Sequence, residues 1–103
     1  MTRLGKLKED CLREINEAWD FAMRKYGVDL RSTPVYFSNA LSVCAGKCYC
    51  ETRDNARICS KIQLSTEILI NEGPNFVART PTHEAAHAIA WVVYGDRGHG
   101  AMW

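Results

Sequence analysis

No apolar run in the 103 residues approaches the ~20 that a membrane-spanning helix requires. The opening segment, Met1-Thr2-Arg3-Leu4-Gly5-Lys6-Leu7-Lys8, is charged at short intervals and lacks the apolar core of a signal peptide. A soluble cytoplasmic protein with no membrane role is therefore expected. An excess of one charge is missing too. Lys and Arg number 13 against 12 Asp and Glu, whereas a domain that binds nucleic acid unaided normally carries a basic surplus. Repeats, low-complexity tracts and Pro/Gly/Ser linkers are absent, and the length suits a single domain over residues 1–103. The cysteines are odd in number (Cys11, Cys44, Cys48, Cys50, Cys59), which excludes a fully paired disulfide framework and favours free thiols. Histidine is scarce: only His83, His87 and His99 occur.

What is present reads as an α+β chain. Leu4, Leu7, Cys11, Ile15, Ala18, Trp19, Ala22, Met23 and Tyr26 recur at spacings of three and four, which predicts an amphipathic helix stopped by Gly27. After a polar loop from Asp29 to Pro34, Val35-Tyr36-Phe37 predicts a short strand. Leu41–Glu51 and Arg57–Leu64 predict two more, joined by a turn within Thr52–Ala56. The three form a small, mainly antiparallel sheet. Ser65 is placed to cap a short helix through Ile70. A last helix is expected to start at Thr80 as N-cap, with Pro81 in its first position, and to end at Gly95. A start near Asn75 would put Pro81 inside the helix and demand a kink. Residues 85–93 are apolar almost all round, the mark of a buried helix.

That helix carries the chemistry. His83-Glu84-Ala85-Ala86-His87 sets two imidazoles four residues apart, on one helical face, where both can reach a single zinc ion. Glu84 lies beside them as a candidate general base. A catalytic zinc site needs a third protein ligand and one open position. A helix-breaking glycine three residues after His87 is excluded, because position 90 is alanine, and no glutamate follows Glu84. His99 is the better candidate. Gly95, Gly98 and Gly100 give the chain freedom to turn back in a short C-terminal metal loop.

With these residues in view, the sequence resembles the SprT-like, or Spartan-like, metallopeptidases. The resemblance rests on the His-Glu-x-x-His motif, on Gly98-His99-Gly100 with Trp103 beyond it, and on two upstream stretches. These are Leu41-Ser42-Val43-Cys44-Ala45-Gly46-Lys47-Cys48 and Cys59-Ser60-Lys61-Ile62-Gln63-Leu64-Ser65. The resemblance implies a small zincin-like fold and zinc-dependent endopeptidase activity. One Zn2+ would be held by His83, His87 and His99, with Glu84 as catalytic acid/base. It also implies protein substrates, in eukaryotic members proteins crosslinked to DNA. The separate zinc-ribbon and DNA-binding segments of such members have no counterpart in these residues.

Weaker signals remain. Cys44, Cys48 and Cys50 would share one face of a strand, and a turn at Asp54-Asn55 would set Cys50 opposite Cys59. Buried thiols are the expectation there, ahead of a Cys50–Cys59 disulfide or a second zinc site. Trp19 and Trp91 are expected in the core. Tyr49, Tyr94 and Arg97 are candidate donors to a developing oxyanion. Lys47, Arg53, Arg57 and Lys61 gather positive charge on the hairpin, enough for at most a weak contact with a phosphate backbone. The rival to an enzyme is a non-catalytic binding module stapled by zinc. A DNA-associated accessory protein is a third reading, disfavoured by the balanced charge.

Overall fold

The computed structural model describes residues 2–96. The first element, α1, is a helix over Arg3–Tyr26. The Thr2 side chain accepts the Gly5 N–H at its start, and Gly27, with φ 67°, closes its end. The predicted stripe is the buried one: Leu7, Cys11, Ile15, Trp19 and Ala22 face inward.

Three strands follow: β1 at Val35–Ser38, β2 at Gly46–Arg53 and β3 at Ala56–Ser65. Their order is β1-β3-β2. The longer pairing, β2 with β3, is antiparallel as expected, while β1 runs parallel to β3, so the sheet is mixed. The hairpin turns on Asp54 and Asn55, both at positive φ (52° and 66°), the conformation a two-residue turn between twisted strands requires. Cys50 pairs with Cys59 as anticipated, but a register shift beside Tyr49 leaves Ser60 as an extra residue on β3. The Cys59 sulfur also approaches that of Cys48, at 3.2 Å. All five cysteines are free thiols.

The second strand begins five residues later than its apolar pattern suggests. Leu41–Ala45 is drawn instead onto Ser65. The Ser65 hydroxyl donates to the Leu41 carbonyl at 2.6 Å, and the Ser65 N–H donates to the Ala45 carbonyl at 2.8 Å. The same hydroxyl accepts the Ile68 N–H at 3.1 Å, capping α2 (Thr66–Glu72). One fully buried serine therefore ends β3, starts α2 and fastens the stretch that leads into β2.

The last helix, α3, spans Pro74–Tyr94. The expected start at Thr80 is thus corrected: Gly73 is the N-cap, Pro74 takes the first turn and Pro81 lies inside. Gly73 closes α2 and opens α3 in one residue, at φ 56° and ψ −129°, a backbone conformation that glycine adopts readily. An interior proline costs about 3 kcal/mol through a lost hydrogen bond and a ring clash. Burying a phenylalanine returns about 1.5–3 kcal/mol. Phe76, fully buried before Pro81, offsets that cost with help from the half-buried Val77. Gly95, φ 74°, ends the helix as predicted. α3 packs against α1 on one side and against β2 and β3 on another. Trp91 fixes this last contact, its indole N–H reaching the carbonyls of Glu51 and Ile58, each at 3.0 Å. Trp19 and Trp91 are both buried, as expected. No helix among the described residues is long and apolar enough to cross a membrane.

Candidate metal centre

Residues 81–94 of α3 alternate between core and surface with helical period. Ala85, Ala88 and Ile89 enter the hydrophobic core. The opposite side emerges, so the helix is buried on one face and not all round: His83 is exposed and His87 half-buried. Their Nε2 atoms approach to 3.0 Å, and the rings meet edge to face at 4.6 Å between centroids. Two nitrogens bound about 2.0–2.1 Å from one tetrahedral zinc ion would lie about 3.3 Å apart. The observed spacing is close to that, so the pair fits two corners of a zinc site. Neutral imidazoles, each turning an unprotonated nitrogen to the ion, are the form this would take.

Among the described residues no group of three or more His, Cys, Asp or Glu side chains gathers as a metal site. The described part of the chain therefore supplies two donors. His99, the expected third, lies outside the described residues, as do Arg97, Trp103 and the rest of the expected metal loop.

Glu84 sits on the same turn but is only 7% exposed. Burial alone pushes its carboxyl up to about 7, because a low-dielectric site disfavours the charged form. A carboxyl poised there can both accept and return a proton near neutral pH. It opens onto a cleft of about 440 Å³. His83, Glu84 and Thr80 line one wall, Cys44, Ala45 and Gly46 the other, and Glu72 and Arg79 stand at the cleft as well. Those two form a loose ion pair at 4.0 Å on an exposed rim.

The sheet contributes its edge to this cleft. Among the described residues, β2 has β3 on one side and no strand on the other. Gly46 is opposite Leu64, and the neighbouring Ala45–Ser65 position carries a ladder hydrogen bond. By the alternation of antiparallel pairing, the N–H and C=O groups of Gly46 and Cys48 point away from β3.

Of the candidate oxyanion donors, the two described, Tyr49 and Tyr94, do not gather here. Tyr49 donates its hydroxyl to Gln63 Oε1 at 2.7 Å across the hairpin, and Tyr94 packs edge-on against Tyr26. Nor are the hairpin cations uniformly solvated. Arg57 reaches the carbonyls of Val92 and Val93 at the end of α3, Arg53 pairs with Glu51, and Lys61 lies over the Tyr49 ring at 4.6 Å. The glycine of the Cys-Ala-Gly stretch received no role from the sequence, yet it forms a cleft wall. A glycine at the start of a strand was the available signal, since it often marks a close backbone approach.

The SprT-like family model matches residues 9–103. Germ cell nuclear acidic protein of Drosophila melanogaster is 36% identical over 70 residues, an alignment covering 68% of this chain. The match spans only 6% of that much longer protein. No solved structure matches.

Proposed function

The chain belongs to the SprT-like family, a family generally associated with metalloprotease activity, and from that premise we propose that it is a zinc-dependent endopeptidase. The observation that carries the reading is a pair of convergent imidazoles beside a buried carboxyl of raised pKa, with His83 and Glu84 lining one cleft. Zinc held by His83, His87 and His99 would act as a Lewis acid on the scissile carbonyl and make water acidic enough to ionise near neutral pH.

The remaining work falls to the chain itself. Glu84, as carboxylate, takes the proton of the attacking water and returns it from its carboxylic acid form to the departing amine. A substrate in extended form lies along β2 and bonds to the outward amide and carbonyl groups of Gly46 and Cys48. Backbone recognition of this kind accepts many sequences, which suits an endopeptidase acting on unfolded or extended protein segments.

Cleavage of DNA-bound or DNA-crosslinked protein is the finer assignment. It rests on the motif resemblance and on the positive charge of the hairpin, where DNA contact would be weak because Arg53, Arg57 and Lys61 already have partners within the chain. The non-catalytic alternative, zinc as a staple, gives no reason for a carboxyl beside the histidines to be buried against a cleft.

The test is cleavage of a disordered protein by the purified chain. Fragments should appear, disappear with a zinc chelator and return when zinc is restored. Cleavage indifferent to chelation would reject a metallopeptidase.

A further inference from the structure

Gly46 is glycine for a reason that its own backbone does not supply. Its φ is not among the positive values, which belong to Gly27, Gly73 and Gly95. Any residue could adopt the Gly46 conformation, and a glycine in a strand costs about 0.5–1 kcal/mol relative to alanine. The space beside it explains the choice. A methyl group at position 46 would sit 2.9 Å from Glu84 Cγ, 3.2 Å from Glu84 Cδ and 3.1 Å from the Gln63 carbonyl oxygen. The β2 backbone therefore lies directly on the side chain of the candidate general base.

The geometry points to Gly46 as the positioning residue of Glu84: its bare backbone forms the seat that fixes where the carboxyl stands in the cleft. This deepens the peptidase reading and rests on Glu84 being the base. The seat has its own anchor. Ser65, fully buried, holds the Leu41 and Ala45 carbonyls at 2.6 and 2.8 Å, so the residues entering Gly46 are tied to the end of β3. Ile62 and Leu64, the partners of Cys48 and Gly46, are fully buried on β3 and give the seat a rigid floor. The helix that carries Glu84 is fixed in turn by Ala85 and Ala88, which are core residues of α3. With both walls fixed, a side chain at position 46 has to displace the carboxyl.

Gly46→Ala tests this in two ways. In the zinc-loaded enzyme it should lower kcat by about 10- to 100-fold, the scale of a small misplacement of a catalytic group. KM should change less than kcat, because alanine keeps the amide and carbonyl groups that position 46 offers to substrate, and zinc content should be unchanged. Unaltered kcat would overturn the inference. Should the substitution weaken the fold, a second measurement still decides. The fall in Tm caused by Gly46→Ala is compared between the original chain and Glu84→Ala, where Cγ and Cδ are gone. A clearly smaller fall in the Glu84→Ala background supports the seat, and equal falls in both overturn it. Failure of the peptidase reading is distinguishable, since the original chain would then show no chelator-sensitive cleavage, while the Tm comparison would still report on the seat.

Discussion

Glu84→Gln is expected to reduce kcat toward a protein substrate by about 10²–10⁴-fold, the usual contribution of a positioned general acid–base group. Glutamine keeps the size of the side chain and its place against Gly46 but cannot take a proton. Zinc content should be unchanged, because the imidazoles of His83 and His87 converge without help from Glu84. The measurement is steady-state proteolysis alongside metal analysis of the same preparations. Loss of both activity and zinc would mean that Glu84 is structural. Retention of both would mean that proton transfer belongs to another group.

The second large effect concerns stability. In the metal-free chain, burial raises the Glu84 carboxyl from 4.5 to about 7. A folded-state pKa above the unfolded value means that the folded chain binds the proton more tightly between those two pH values. The favourable contribution is therefore complete below about pH 4.5 and is lost as pH rises through about 7. One pKa unit corresponds to about 1.4 kcal/mol, so a rise from 4.5 to about 7 makes ionised Glu84 cost the fold on the order of 3 kcal/mol above neutrality. Glu84→Gln removes this dependence. Urea denaturation of the metal-free proteins should show the variant gaining on the original chain from pH 5 to pH 8 by roughly that amount. Taking the difference between the two proteins cancels the carboxylates of Asp29 and Asp10, whose pKa values are lowered by hydrogen bonds from neighbouring cations. A constant gap across the range would show that Glu84 is not desolvated. The cost is one that a catalytic site can bear, since a strained or desolvated group is common where chemistry occurs.

Much of this was legible because it is local. The α1 stripe, the Asp54-Asn55 turn, the Ser65 cap and the four-residue spacing of His83 and His87 each depend on residues close in sequence. Local rules failed where distant burial decided the matter. Thr80-Pro81 is a sound helix start by itself, yet Phe76 finds a core site only if the helix begins earlier, and the interior proline is tolerated for that gain. Leu41–Ala45 has a strand-like pattern, but its carbonyls at Leu41 and Ala45 are taken by Ser65, far along the chain. The parallel pairing of β1 with β3 has no local signature, since it is made across the intervening hairpin strand. Gly46 belongs to the same class. Its meaning lies in its distance to Glu84, on another element, and only the assembled fold brings the two together.

Zinc binding is the property on which all of this turns. Titration of the metal-free protein, with stoichiometry and affinity read together, tests it most directly. The original chain should take up one zinc ion, and His83→Ala, His87→Ala and His99→Ala should each lose tight binding. An original chain that takes up no zinc, or imidazole variants that bind it with unchanged stoichiometry and affinity, would contradict a metal centre built on these histidines.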